Sequence, residues 1–302
     1  MKRATKALNL GLVALVGFFF TNGLALADNI YVSLLGQNRI QEYAGDGTDL
    51  GHFGSSRLSG PIGLTSDSSG NLYAGYYYSN TIEKFSATGT DLGVFATTGV
   101  TLPWGLAFDS GGSLYTANED ADRIAKFSAK GTYLGLFAYT GLNGPLGLAF
   151  DSSGNLYAAN LYTNTVEKFS PTGVDLGVFA AVSRPTGLAF DNSGNLYVAS
   201  ENSNAIMEFS ATGRPLGSFA SGGWLNMPHG LAFDSGGNLF VANYGGGTLE
   251  RFAPNGSGTV VASGLGQPQF VVTQVPEPAT WSMLALGIFT LLGSRRLHRR
   301  SS

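Results

Sequence analysis

The chain has 302 residues, 12% of them charged, and a formal net charge of −3. It has no cysteine, which excludes disulfides, thiolate metal sites and cysteine nucleophiles. Lys and Arg gather at the two ends. Residues 28–274 keep ten of them against 19 Asp and Glu, about −9, and an acidic core segment with no basic patch argues against nucleic acid.

Residues 1–27 read as a secretory signal peptide. Lys2, Arg3 and Lys6 precede an apolar stretch from Leu8 to Phe20, and Ala25-Leu26-Ala27 forms an A-x-A cleavage site before Asp28. The apolar stretch is short for a membrane span.

Residues 30–54 then give three short strand-like runs, IYVSLL, RIQEYA and DLGHFG. From Pro61 onward a fuller sentence repeats: P-x-G-L-A-F-D, a turn, N-L-Y-A-A-N, a loop, T-V-E-K-F-S, a turn, D-L-G-V-F-A. Its anchor proline recurs at Pro61, Pro103, Pro145, Pro185 and Pro228, spaced 42, 42, 40 and 43 residues apart. The punctuation is regular: DSSGN-type turns begin at Asp67, Asp109, Asp151, Asp191 and Asp234. Asp, Asn and Gly there predict hairpin turns. No run has helical period. A worn sixth anchor begins at Pro268 and supplies one strand with nothing after it.

A period near 40 with four strands, A to D, predicts a β-propeller. The first three runs lack a strand A, and the last run is a lone strand A. Together they complete one blade. The expected fold class is therefore all-β, a six-bladed propeller closed by a composite N- and C-terminal blade, which removes the free edges of a linear array. About 245 residues bury an adequate core without disulfides.

The consensus P-x-G-L-A-F-D-x-x-G-N-L-Y-V-A-(N/S)-x-x-x-N-x-I-x-x-F resembles the NHL repeat over roughly residues 30–273. That resemblance implies a binding platform, with a minority of lyase or lactonase relatives. The family's usual Asp at the end of strand B is replaced here by Leu34, Tyr76, Asn118, Asn160, Ser200 and Asn243.

Residues 275–302 resemble a PEP-CTERM sorting tail. Pro276, Glu277 and Pro278 form the motif, a short apolar transmembrane helix is expected from about Ala279 to Gly293, and Arg295, Arg296, Arg299 and Arg300 make the basic end. The resemblance implies an exosortase as processing partner, cleavage near the motif, and delivery to the outer surface or extracellular polysaccharide of a Gram-negative-type bacterium. Retention of the tail as a permanent anchor is the alternative. The expected domains are 1–27 signal, 28–274 propeller and 275–302 sorting signal.

Propeller geometry puts A–B and C–D turns on one face, here the back. B–C and D–A loops lie on the front. The back turns are Asp, Ser, Thr, Gly and Asn. The front loops carry Trp104, Trp224, Tyr76, Tyr77, Tyr78, Tyr139, Tyr162 and Tyr244, beside Glu119, Asp120, Glu201 and Asn202. Aromatics beside carboxylates and amides suit a glycan or peptide surface, since rings stack on sugars and polar groups read hydroxyls. The plain alternative is that these rings cap the blades and plug the channel. Trp104, Trp224, Tyr76, Tyr77, Tyr78, Tyr162 and Tyr244 are the candidate ligand-binding residues.

The candidate for chemistry is His229, in P-H-G-L, a segment resembling streptogramin lyases. Those enzymes need a second His and a metal, whereas His52 falls in an outer strand and His298 in the tail. Lactonase-type carboxylates are missing from the slot after each anchor, which reads Ile62, Trp104, Leu146, Thr186, His229 and Gln269. Asn118, Asn160 and Asn243 suit local turn closure better than a metal ring. The sequence thus predicts a non-catalytic binding or scaffold module, with no metal or cofactor. Its partners are an exosortase and a glycan or surface protein. A lyase or lactonase near His229 is the alternative.

Overall fold

The computed structural model describes residues 28–54 and 58–274. Ala25 and Ala27, the sorting residues Pro276, Glu277, Pro278, Arg295 and Arg296, and the apolar tail segment lie outside the described residues. Among the described residues no helix is long and apolar enough to cross a membrane.

Six four-stranded antiparallel sheets form the six blades of a propeller. The composite blade, blade 1, has the order Pro268–Gln274, Asn29–Leu34, Arg39–Tyr43, Asp49–Phe53. Its two chain ends pair in antiparallel register from Asn29↔Gln274 to Leu34↔Pro268, with one bulge. The remaining blades follow in chain order, each opening on an anchor proline: Pro61–Ser66, Pro103–Phe108, Pro145–Phe150, Pro185–Phe190 and Pro228–Phe233 are their innermost strands. The expected closure is therefore observed, and it leaves no inner or end-of-ring edge for other chains to pair with.

The repeated letters have physical jobs. The glycine of P-x-G-L marks where neighbouring inner strands touch around the axis. A Cβ added at Gly147 would overlap the Thr186 carbonyl oxygen, and one at Gly105 the Leu146 carbonyl oxygen. Only a residue without Cβ permits that approach. The tyrosine of N-L-Y is clasped between two phenylalanines. Tyr115 meets Phe137 of its own outer strand and Phe150 of the next blade, edge to face, both at 4.9 Å. Tyr73, Tyr157 and Tyr197 repeat this arrangement. Such pairs add about 0.5–1.5 kcal/mol each beyond area burial.

The back turns are hairpins built on the aspartate, as expected. Asp151 Oδ1 accepts the N–H groups of Ser153 (2.9 Å) and Asn155 (2.8 Å). Its Oδ2 accepts the Tyr157 hydroxyl (3.2 Å). Lys168 approaches the same oxygen at 3.7 Å and lies 5.0 Å from the Tyr157 ring centre. Blades 2 and 3 repeat the trio as Asp67, Tyr73, Lys84 and Asp109, Tyr115, Lys126. These back-face charges are thus taken up by the fold. The outermost strands expose aliphatic side chains instead, among them Leu92, Val94, Leu134, Leu136, Leu176 and Val178.

Candidate functional site: the front face and the channel mouth

Blades are fastened to one another along the front face. Each B–C turn ends on a residue in the left-handed region, Asn38, Asn80, Asp122, Asn164 or Asn204. Its side-chain oxygen accepts the N–H of the residue before the next blade's anchor proline: Gly60 (3.0 Å), Leu102 (2.7 Å), Gly144 (2.7 Å), Arg184 (2.8 Å) and Met227 (2.8 Å). Asn tolerates that backbone and supplies the acceptor, so one residue does both jobs. At the junction of blades 6 and 1 the position is Gly247, which has no side chain to offer.

A second set of amides fixes the D–A loops. Asn160, fully buried, accepts from Asn143 N (3.1 Å) and donates to Gly141 O (2.7 Å). Asn118 and Asn243 do the same for their own loops. The sequence reading gave these amides to the B–C turn; the structure gives them mainly to the D–A loop. Both sets hold the front loops on a rigid base, as recognition surfaces require.

The slot after each anchor proline closes the channel. Ile62, Leu146, Thr186, His229 and Gln269 are buried there. His229 Nδ1 donates to Gln269 Oε1 at 2.9 Å, which places the ring proton on Nδ1 and leaves Nε2 basic. The His229 ring stacks flat on Tyr244, 4.6 Å between centres and 5° from parallel. From the opposite blade Trp104 reaches to 6.1 Å from the same ring. Its indole Nε1 is buried and has no acceptor among the described residues. Burial holds the His229 pKa below its usual value; the bond to Gln269 and the Glu201 carboxylate work against this. Glu201, nearly buried, is paired with Arg184 at 3.1 Å.

The predicted ligand residues therefore divide. Tyr78, Tyr162 and Trp224 are exposed at 66%, 57% and 55%, and Tyr139 joins them at 71%. These four are the only aromatic rings that exposed among the described residues, and all sit in front-face loops. Tyr78 lies over Gly60 and Tyr162 over Gly144, the left-handed glycines before their blades' anchors. Tyr162 also donates to Glu119 Oε1 at 2.7 Å, a bond that pushes the phenol up to about 12.

Tyr76 is a correction. It is the last residue of the strand Leu72–Tyr76, occupies the slot of Asn118 and Asn160, and is buried, so it offers no stacking surface. Tyr77 and Tyr244 are half-buried, and Tyr244 is covered by His229. Trp104 is half-buried at the channel mouth, facing His229. Sequence reasoning missed the Gln269–His229 bond and the His229–Tyr244 stack. The one available signal was that both His229 and Gln269 fill the slot after an anchor proline.

The two histidines of the propeller stay apart. His52 lies on the outermost strand Asp49–Phe53, where its Nε2 meets Arg39 Nη1 at 2.7 Å. Among the described residues no three His, Asp or Glu side chains come together as a metal cluster.

Two family profiles match. The NHL repeat matches residues 225–252, and the PEP-CTERM protein-sorting motif matches residues 274–300. No curated protein matches the chain. Solved structures share the fold. One, from a nidogen/laminin complex, is 18% identical with a TM-score of 0.73, over 83% of this chain and 99% of that one. A protein of unknown function from Bacteroides caccae is 16% identical with a TM-score of 0.68, over 83% and 100%. Virginiamycin B lyase from Staphylococcus aureus is 15% identical with a TM-score of 0.53, over 76% and 73%.

Proposed function

We propose that this chain, a six-bladed propeller carrying an NHL repeat and a PEP-CTERM sorting motif, is a non-catalytic recognition module of the bacterial cell surface. The sorting motif implies secretion, exosortase processing and cell-surface sorting. The finer reading places the protein in the envelope or extracellular polysaccharide of a Gram-negative-type bacterium, with a glycan as ligand.

One observation carries this reading. Every strongly exposed aromatic ring among the described residues, Tyr78, Tyr139, Tyr162 and Trp224, lies on the front face. Exposed aromatic rings confined to one face are what an interaction surface presents. Flat rings on rigid loops stack on pyranose faces at low entropic cost. Glu119, bonded to the Tyr162 hydroxyl, and the adjacent Asp120 supply acceptors for hydroxyls, and the exposed Asn202 amide supplies a donor.

The competing reading is lyase or lactonase chemistry on His229. Its Nε2 is basic, but the second histidine is on the rim of another blade. Co-sedimentation with exopolysaccharide separates the two. Binding that survives His229→Ala and is lost in Trp224→Ala supports recognition. Turnover that disappears in His229→Ala overturns it.

A further inference from the structure

We infer that the sorting tail holds the back face against the membrane and presents the front face outward. This rests on the proposed function, in which the tail is membrane-inserted before processing. The tail begins where the propeller's last strand ends. That strand, Pro268–Gln274, starts at the front face with its anchor proline. It finishes beside Asn29, and Thr273 Oγ1 donates to Phe233 O (2.6 Å), the residue that precedes the back turn of blade 6. The chain therefore leaves the propeller through its back face.

The other terminus leaves there too. Buried Asp28 accepts the N–H of Ser235 (2.6 Å) and its hydroxyl (3.0 Å), and Ser235 belongs to that same back turn. Both ends are thus pinned to one face by specific bonds. The apolar stretch of the tail starts at about Ala279, which leaves only residues 275–278 between the last strand and that stretch. Four residues span at most about 14 Å. Two of the four are prolines, which shorten the range of conformations further. The propeller cannot turn over on such a tether. Strand Pro268–Gln274 sets the front face roughly 20 Å farther from the bilayer than the back.

The back face is suited to lie beside lipid headgroups without entering them. Its A–B turns are Ser, Asn and Gly around aspartates bonded within the fold, its C–D turns are mostly Ser, Thr, Ala and Gly with the cations Lys130 and Arg214, and among the described residues it exposes no aromatic ring. The occupant of the gap is hydrated headgroup, and the ligand-bearing face is free.

The absence of cysteine makes the test clean. The full chain is expressed with its tail in a bacterial host without an exosortase. Single-cysteine variants are placed on the back turns (Ser69→Cys, Ser153→Cys) and front loops (Ser79→Cys, Ser203→Cys), all at exposed positions. Membrane-bound protein is labelled with a bulky maleimide-polyethylene glycol and with a small maleimide. The expected result is back-face labelling several-fold slower with the bulky reagent only, with the difference abolished in a chain ending at residue 274. Equal labelling of both faces in membrane-bound protein, or protection of the front, overturns the orientation. A chain that never sediments with membranes overturns the anchoring itself, and with it the inference.

Discussion

The side-chain oxygen of Asn164, in blade 4, accepts the backbone N–H of Arg184, at the start of blade 5, at 2.8 Å. The same bond joins four other pairs of neighbouring blades, and Asn164 makes it from a left-handed backbone at φ 60°. Asn164→Ala removes the acceptor and puts a β-carbon residue where Asn is favoured. We expect a loss of about 1–2 kcal/mol in urea unfolding. Asn164→Gly keeps the backbone tolerance and should recover part of that loss. Equal stability of wild type and Asn164→Ala would show that the blade-to-blade bond contributes nothing.

The glycines of P-x-G-L predict a sharper effect. A Cβ at Gly147 would overlap the Thr186 carbonyl oxygen of the next blade, and no flexible side chain is there to yield. Gly147→Ala should cost more than about 3 kcal/mol or prevent folding. Gly177, on an outer strand at φ 91°, has open space around it. Gly177→Ala should cost only about 1–2 kcal/mol, from backbone strain. Comparable melting temperatures for the two variants would contradict the close approach at the axis.

A stabilising change is also expected. The Thr116 hydroxyl is buried on strand Leu114–Asn118 with no partner among the described residues. The same register position is Val198 in blade 5 and Val241 in blade 6, both fully buried. Thr116→Val keeps the shape and removes the unsatisfied group, so it should raise stability by about 1 kcal/mol. A fall in melting temperature would mean that the hydroxyl has a partner.

These sites also show where the sequence was legible. Blade number and closure followed from anchor spacing and from two incomplete ends, because a ring needs whole blades. The Asp turns were equally plain, since Asp, Asn and Gly act locally. Tyr76 was misplaced because three consecutive tyrosines carry no mark of where strand ends and loop begins. That Trp104 faces His229 was not legible, because its slot, shared with Ile62 and Leu146, does not reveal that an indole is long enough to reach the opposite blade. The links from Asn38, Asn80 and Asn204 lay hidden in the repeated N-x-I, since the partner amide is some 20 residues away and in another blade.

Two buried carboxyls set a pH dependence. Burial pushes Glu250 up to about 7, and burial followed by the neighbouring Asp175 does the same to Glu167. The folded state then holds these protons to higher pH than the unfolded chain, whose glutamates titrate near 4.5. Stability should therefore fall as pH rises from about 4.5 to 7, by about 1–3 kcal/mol in total. Glu250→Gln with Glu167→Gln should flatten that slope. Asp67, Asp109 and Asp151 act oppositely. Burial raises their pKa values, but hydrogen bonds from the turn and from Tyr73, Tyr115 and Tyr157 lower them by more. Their contribution is lost below about pH 4. Denaturant midpoints across pH 3–8 would show a maximum near pH 4–5; a rise from 4.5 to 7 would contradict the assignment of the two glutamates.

The most direct test of the account is calorimetric titration of residues 28–274 with exopolysaccharide from the source bacterium, alongside a Trp224→Ala/Tyr162→Ala variant. Both side chains are exposed, and the variant gives up one exposed hydrogen bond, from Tyr162 to Glu119, so it should stay within about 1 kcal/mol of the wild type. The account predicts saturable heat in the wild type and at least about a tenfold weaker affinity in the variant, as expected for loss of two stacking rings. Unchanged affinity in the variant, or no heat in either protein, would contradict a front face built for glycan recognition.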